Sequence, residues 1–355
     1  MSYLGRYICQ CPIVYRPSRS SLSPHPLPER HSSCDLPRSS LPSCCFLIWH
    51  TDALGKDGTH LSPPPSAYLQ LAPLNHDVPR SHDKQRARAE RIASLPEAYR
   101  QPLTAQDRDI LARPVAAIVA GVQTASLDPS DVLTAYAKRA LQAHAQTNCL
   151  TEILSWGRDA NRAGPLAGVP VSLKDTLAVR GYDSTIGYSA MAGKPMAYDG
   201  AFVKLLRDAG AVPFVKTNVP TTMLSFESTN DVFGRTENPH KKGYSPGGSS
   251  GGESALLALG GSRIGVGTDV AGSVRVPSHY SGVYAIKSSM HRFIKTGGVS
   301  SMPGQEGVPA TCNPMAKTLE DLETFWRAVF QMKPWEYDHS VSILYLLYCR
   351  VYIGS

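Results

Sequence analysis

The segment at 247–252, Gly-Gly-Ser-Ser-Gly-Gly, continues directly into an apolar stretch at 253–259 that has the composition of a buried helix. Glycine allows backbone conformations that are closed to other residues, and it lets a neighbouring group come close to the main chain. A flexible glycine–serine linker has a similar composition, but such a linker does not run straight into an apolar helix. The segment therefore predicts a tight turn that opens a helix inside a folded domain.

Strand and helix patterns alternate around this turn. Short apolar runs at 169–173, 211–215 and 263–266 predict buried strands, and residues 201–208 predict a helix that ends before Gly210. Alternation of this kind predicts an α/β fold with a central β-sheet flanked by helices.

Two amphipathic helices are predicted further upstream. Thr104 is a candidate N-cap for a helix at 105–111, and Ser130 is a candidate cap for a helix whose apolar residues recur on one face. Both helices are expected to pack against the sheet, and neither carries candidate functional residues.

Composition limits the classes of function that this chain can have. The chain has 355 residues, a net charge of +7, 42% hydrophobic and 18% charged residues, which is typical of a globular enzyme with one large or two ordinary domains. The densest basic run, at 80–91, also contains Asp83 and Glu90 and no aromatic residue, so it predicts a solvated linker or helix face, and nucleic-acid binding is not expected. The eight cysteines lack zinc-ligand spacing, so no metal site is expected.

The N-terminal part differs from the rest. Residues 1–79 are rich in Pro, Ser and His and show neither helical nor strand periodicity, which predicts a disordered extension ahead of a domain at 80–340. The first residues lack the apolar core of a signal peptide, so a cytoplasmic location is expected. No sequence feature bears on the oligomeric state.

A second glycine-framed serine lies in Gly-Thr-Asp-Val-Ala-Gly-Ser-Val-Arg at 267–275. Small residues here predict a tight turn with consecutive exposed N–H groups, which suits either an oxyanion hole or a structural turn. Read literally, 247–251 also matches the nucleophile elbow Gly-x-Ser-x-Gly, but the elbow needs a preceding strand and residues 237–242 do not form one.

Lys174 ends the apolar run at 169–173. Burial at the end of a strand would disfavour its ammonium form and lower its pKa, as a general base requires. The alternative is a surface lysine paired with Asp175, and the lysine alone favours that alternative.

Taken together, Lys174, Gly-Gly-Ser-Ser-Gly-Gly-Glu at 247–253 and Gly-Thr-Asp-x-x-Gly-Ser-x-Arg at 267–275 resemble the amidase signature family. The resemblance extends from about residue 84 to 340. It implies a central mixed β-sheet flanked by helices and hydrolysis of linear amide C–N bonds without a metal or organic cofactor. Stretches that resemble the fungal acetamidase-type branch occur at 216–220, 233–239 and 301–307.

The resemblance also implies roles for individual residues. Ser273 would be the acylated nucleophile, Ser249 the bridging serine after a cis peptide bond, and Lys174 the base behind it. The oxyanion hole would be formed by the main-chain N–H groups of Val270, Ala271, Gly272 and Ser273, with Ala271 where many relatives carry glycine.

Supporting roles are expected for three further residues. Ser250 would form a hydrogen bond near the nucleophile, while Asp269 and Arg275 would pair and fix the loop, a structural rather than a catalytic role.

The end of the chain departs from the family pattern. Residues 341–355 have no counterpart, and their apolar run is too short to span a membrane. The family's C-terminal part, which supplies strands and much of the acyl pocket, is expected to be missing. Two functions therefore stay open: an amidase that converts a small aliphatic, acetamide-like amide to acid and ammonia, and an inactive truncated remnant with no binding partner.

Overall fold

A computed structural model describes residues 13–15, 81–154, 161–305 and 307–342. Within these ranges the chain forms nine strands and eight α-helices. The strands are β1 (Ile13–Tyr15), β2 (Leu150–Ile153), β3 (Pro170–Lys174), β4 (Val212–Thr217), β5 (Thr229–Asn230), β6 (Gly234–Arg235), β7 (Ile264–Asp269), β8 (Tyr284–Lys287) and β9 (Thr311–Ala316). The helices are α1 (Ser81–Ala93), α2 (Ala105–Ala112), α3 (Val115–Gln123), α4 (Pro129–Thr147), α5 (Ala201–Asp208), α6 (Gly251–Ala258), α7 (Arg275–Ser281) and α8 (Leu319–Gln331).

Seven strands form one sheet in the order β1-β8-β9-β7-β3-β4-β2, and β5 pairs with β6 separately. Strand β3 runs parallel to both β4 and β7, whereas β2, β8 and β9 pair antiparallel with their neighbours. The sheet is therefore mixed, and the predicted α/β fold with a central mixed sheet flanked by helices is confirmed.

Strands β3 and β4, in the interior of the sheet, are covered on both faces. Every residue of β3 and β4 is buried, as expected for parallel strands with helices on each side. Their apolar residues, such as Val171, Leu173 and Phe214, belong to one continuous core that also includes residues of α4 and α5. The run of apolar residues that predicted these strands reflects this two-sided burial.

Helix α6 is the most enclosed helix of this core, because each residue from Gly251 to Leu257 is buried. A side chain at Gly252 would meet the backbone of Asn218 and the carbonyl of Cys149, so only glycine fits at this close approach. The predicted turn and buried helix are thus both present.

The predicted upstream helices are also present, with one boundary shifted. Thr104 caps α2 and forms a capping box with Asp107. Ser130 is not the cap of α4, however: Asp128 takes that place and accepts a hydrogen bond from the Ser130 N–H at 2.8 Å. Proline at position 129 then occupies the first turn, where no N–H donor is needed.

The described part of the basic run, from residue 81 onward, lies in helix α1, which docks on the folded domain through polar contacts. Lys84 forms ion pairs with Glu152 and Asp183, and Arg88 donates to the Leu150 carbonyl at 2.6 Å. One side of the helix is therefore docked on the folded domain, while Arg86 and Arg91 are exposed, as predicted for a solvated helix face.

The predicted extension at 1–79 and the predicted tail at 341–355 lie almost entirely outside the described residues. In the first, β1 pairs antiparallel with β8. In the second, Val341 and Ser342 are described, and Ser342 donates its N–H to the His291 carbonyl at 2.8 Å. The proposed disorder and domain boundaries stay predictions.

Candidate active site

Three parallel strands end at the same edge of the sheet. Strand β3 ends at Lys174, β4 at Thr217 and β7 at Asp269, and Lys174 lies opposite Thr217 in the register of β3 with β4. Carboxyl ends of neighbouring parallel strands form a crevice in which α/β proteins commonly place functional side chains.

Lys174 is fully buried at this edge. Its Nζ lies 2.7 Å from Ser249 Oγ, 2.9 Å from Thr268 Oγ1 and 3.3 Å from the Thr268 carbonyl oxygen. Burial lowers the pKa of Lys174 to about 7, although the charge of Asp269 opposes the shift. A large fraction of this amine is therefore neutral near neutral pH and able to accept a proton.

Asp175 does not pair with Lys174, so the alternative of a surface lysine is wrong. The Asp175 carboxylate is buried, accepts the Ile186 N–H at 2.7 Å and lies 3.9 Å from the Nζ of a second buried lysine, Lys216. Lys216 itself donates to Ser184 Oγ at 2.7 Å. Asp175 and Lys216 thus form a separate buried ion pair next to the Lys174 strand.

Ser249 lies between Lys174 and the second glycine-framed loop. Its side chain is 1% exposed, and the Gly248–Ser249 peptide bond is cis. The N–H of Ser250 donates to the Ser273 carbonyl at 3.1 Å. The backbones of the two glycine-framed segments are therefore in direct contact, which places Ser273 beside the segment that contains Ser249.

Ser273 lies on the loop between β7 and α7 and is half-buried. The half-exposed ring of Phe226 lies beside this loop, with a carbon atom 3.5 Å from where a side chain at Gly272 would begin. Burial therefore decreases from Lys174 and Ser249 to Ser273, so Ser273 is the residue of the three that a solute can reach.

The carboxylate of Asp269 organises this loop. It accepts hydrogen bonds from the N–H groups of Gly272 at 2.7 Å and Val274 at 3.1 Å, and from Arg275 Nε and Nη2, both at 3.1 Å. Burial opposes ionisation, but Arg275 and the two backbone donors hold the pKa of Asp269 below its ordinary value. Asp269 and Arg275 thus fix the loop. Among the described residues, neither forms a hydrogen bond with any of the three candidate catalytic side chains.

The expected oxyanion donors are not equivalent. The Gly272 N–H is engaged by Asp269. Within the described parts of the chain, the N–H groups of Val270, Ala271 and Ser273 have no hydrogen-bond acceptor, and Val270 and Ala271 are exposed. These three are the donors that remain available to a bound molecule.

Ser250 contacts the candidate site mainly through its backbone. Its buried hydroxyl donates only a long hydrogen bond of 3.5 Å to the Thr268 carbonyl. The β-carbon of any residue but glycine at 267 would lie 2.7 Å from Ser250 Oγ, so Gly267 lets the two segments approach.

Sequence reasoning missed Glu253 and Thr268. Thr268 accepts hydrogen bonds from Lys174 Nζ through its hydroxyl and its carbonyl oxygen. Glu253 is fully buried in the first turn of α6, where its carboxyl group accepts from Ser172 Oγ at 2.6 Å and from Thr217 Oγ1 at 2.7 Å. Glu253 thereby joins the helix that follows Ser249 to β3, the strand that contains Lys174, and to its neighbour β4. A carboxyl group at the start of an otherwise apolar helix was the signal that could have revealed it.

Burial raises the pKa of Glu253 to about 7, against the opposing effect of its hydroxyl partners. The folded state therefore holds its proton more tightly than the unfolded state, and this group makes the fold less stable as the pH rises from about 4.5 to 7. Glu253→Gln, which imitates the neutral acid, should raise the free energy of unfolding by about 1–3 kcal/mol at pH 8 and change it little at pH 4.5. Urea denaturation at both pH values measures this difference. An equal effect of the substitution at the two pH values would contradict the buried-acid assignment.

No group of three or more His, Cys, Asp or Glu side chains in the described ranges is arranged to hold a metal ion. The described helices also include none that is long and apolar enough to cross a membrane.

A family model for amidases matches residues 131–348, a range that contains Lys174, Ser249 and Ser273. The chain belongs to the amidase family.

Individual amidases are also similar to this chain, in sequence and in structure. "Amidase 1" of Gibberella moniliformis is 39% identical over 264 residues, which are 71% of this chain and 51% of that protein. "Acetamidase" of Aspergillus oryzae is 39% identical over 237 residues, which are 63% of this chain and 44% of that protein. Among solved structures, "Fatty acid amide hydrolase" matches with a TM-score of 0.67 and 29% identity, over 76% of this chain and 55% of that one. The chain thus spans about half the length of the curated amidases it matches.

Proposed function

We propose that the protein is a serine amidase that hydrolyses a carboxylic acid amide to the acid and ammonia through Ser273, Ser249 and Lys174. The observation that carries this proposal is the 2.7 Å contact between Lys174 Nζ and Ser249 Oγ in a buried setting. A buried amine next to a serine hydroxyl supports this proposal, as does the backbone contact between the following residue, Ser250, and the more accessible Ser273.

In the proposed first half-reaction, Ser273 Oγ attacks the amide carbonyl carbon. Its proton passes to Ser249 Oγ while the Ser249 proton passes to neutral Lys174, which becomes an ammonium. The negative charge on the carbonyl oxygen is met by the free N–H groups of Val270, Ala271 and Ser273. The same path returns the proton to the leaving nitrogen as the C–N bond breaks, which releases ammonia and leaves an ester on Ser273.

In the second half-reaction, water attacks this ester and loses a proton along the same path. The tetrahedral intermediate collapses, Ser273 Oγ regains a proton, and the carboxylic acid leaves. No step needs an oxidant, a metal or an organic cofactor.

For the substrate we propose a small aliphatic amide of the acetamide type. The sequence similarity to an acetamidase agrees with this size class, but a fatty-acid amide hydrolase matches at the same 39% identity. The comparisons therefore support the shared amide chemistry, and the assay below decides the size class. We also keep the cytoplasmic location as a proposal, which agrees with the free thiols of the buried Cys149 and Cys312.

The experiment is an ammonia-release assay on the purified chain with acetamide, propionamide and a long-chain fatty amide. We expect turnover of the short amides and a lower kcat/KM for the long one. Faster hydrolysis of the long amide would contradict the proposed substrate class but keep the reaction. No ammonia from any amide, in a sample that unfolds cooperatively on heating, would contradict the proposed function itself and favour the inactive remnant.

A further inference from the structure

A cavity of about 320 Å³ lies at the end of β7 opposite to the candidate active site. Strand β7 begins at Ile264 beside this cavity and ends at Asp269 in the nucleophile loop. The walls come from the end of α2, one face of α4, the end of α6 and the junction of β9 with α8. None of these wall residues belongs to the proposed catalytic group.

Three positively charged side chains line the cavity: Arg139 from α4, Arg263 just before β7, and Lys317 just after β9. Lys317 is an exposed residue, but partial desolvation of its amine lowers its pKa, and the charges of Arg139 and Arg263 lower it further. Arg139 Nε and Lys317 Nζ both lie within 3.9 Å of one point, the position of a β-carbon at Gly260. The three cations thus face a shared space and repel one another.

The nearest carboxylate, Asp321, balances only one of these three charges. Asp321 pairs with Arg263 Nε at 2.7 Å, accepts the Val115 N–H at 2.7 Å, and also accepts the Thr318 hydroxyl. Its oxygens are therefore already occupied on the side of α8. Across the described residues, Lys317 Nζ has no hydrogen-bond acceptor and no ion-pair partner.

Each of the two guanidinium groups has an N–H donor without an acceptor among the described residues. Arg139 donates from Nε to the Leu259 carbonyl at 2.6 Å and from Nη1 to Gln142 Oε1 at 3.2 Å. Arg263 donates from Nη1 to the Leu111 carbonyl at 3.5 Å. The Nη2 groups of both arginines have no acceptor in the described part of the chain, although the two side chains are held in place by these other bonds.

A buried tyrosine supplies an independent observation. Tyr136 lines the same cavity and is 1% exposed, and its hydroxyl has no hydrogen-bond partner among the residues that the structure describes. Burial raises the pKa of this hydroxyl, and the charges of Arg263 and Asp321 act on it in opposite directions. Buried hydroxyls in folded proteins are normally hydrogen-bonded, so this one indicates a missing partner.

The amino end of α8 adds to the positive electrostatic potential at the cavity. This 13-residue helix begins at Leu319, next to Lys317 and Thr318 of the cavity wall. Helix N-termini carry a partial positive charge and favour anions.

We propose that this cavity binds a small oxyanion with two or more negative charges, of the phosphate or dicarboxylate class. Such an anion accepts hydrogen bonds from the two Nη2 groups, Lys317 Nζ and the Tyr136 hydroxyl together, and it offsets the excess positive charge. Arginine forks suit both carboxylate and phosphate oxygens, so the two chemical sources share the recognition and are separated by experiment.

The test is isothermal titration of the full chain with inorganic phosphate and, in a second arm, with succinate, at constant ionic strength maintained with chloride. We expect saturable one-to-one binding with a dissociation constant of about 1 mM or tighter for at least one probe. Lys317→Met and Tyr136→Phe should each weaken that binding about fivefold or more, since each removes a hydrogen bond to a charged ligand. Lys204→Met is the matched control, because Lys204 is exposed on α5 and carries the same charge.

Thermal unfolding separates binding from folding. Without the anion, Tyr136→Phe should unfold at the same temperature as the wild type or higher, because it removes an unpaired buried hydroxyl. With the anion, it should gain less stability than the wild type. Binding of phosphate alone or of succinate alone assigns the source. Absence of saturable binding of both probes, or binding that Lys317→Met and Tyr136→Phe leave unchanged, would overturn the proposal. This test needs no amide hydrolysis, so its result is independent of the proposed function.

Discussion

Ser273→Ala should lower kcat for amide hydrolysis by about 10⁴-fold or more, because it removes the atom that forms the covalent intermediate. The substitution deletes one half-buried hydroxyl on a loop that is held by Asp269, so the fold should persist, with a change in stability within about 0.5 kcal/mol. Ammonia release and thermal unfolding measure the two effects on the same sample.

The matched control for this change is Ser130→Ala. Ser130 is an exposed residue in the first turn of α4, far from the candidate site along the chain, and its loss should leave the rate unchanged. Should Ser273→Ala keep a rate within tenfold of the wild type, Ser273 is not the nucleophile and the proposed mechanism fails.

Lys174→Met should lower kcat/KM by about 10²- to 10⁴-fold, the range that a general base contributes. In the wild type, kcat/KM should fall about tenfold for each pH unit below about 7, because protonation of Lys174 removes the base. The sign follows from burial, which makes the neutral amine the active form and the ammonium the inactive one. Rates measured from pH 5 to 9 on the wild type and the variant test this dependence.

Lys174→Arg distinguishes a base from a fixed positive charge. Arginine keeps the charge but stays protonated at every accessible pH. A variant with arginine that retains most of the wild-type rate would show that position 174 acts by charge alone, contrary to the proton path through Ser249.

Much of the fold was predictable because local patterns and burial agree. Apolar runs marked β3 and β4, whose residues are buried on both faces, and the glycine turn before α6 followed from its direct continuation into an apolar helix. The cap of α4 was misplaced because Asp128 and Ser130 are both good capping residues, and the proline between them decides in favour of Asp128.

The candidate site was predictable in part. The two glycine-framed serine segments at 247–252 and 267–275 were recognisable in the sequence. The order of the strands was not, so the burial of Lys174 and its separation from Asp175 could not be derived from the lysine alone. The polar contacts that dock helix α1 were equally unpredictable. Lys84 was predicted as one cation of a solvated run, yet it pairs with Glu152 and Asp183, which follow 68 and 99 positions later. Long-range ion pairs of this kind leave no periodic trace.

The enclosure of α6 has a consequence for how the protein loses activity. The helix is covered from Gly251 to Leu257, and Ser249 and Ser250 adjoin its first turn. Segments buried in this way exchange their amide hydrogens only when a large part of the fold opens, whereas frayed ends and surface loops open on their own. The proposed proton path is therefore attached to a helix that we expect to open only with a large part of the fold, and heat should inactivate it through cooperative unfolding and not through local, partial melting.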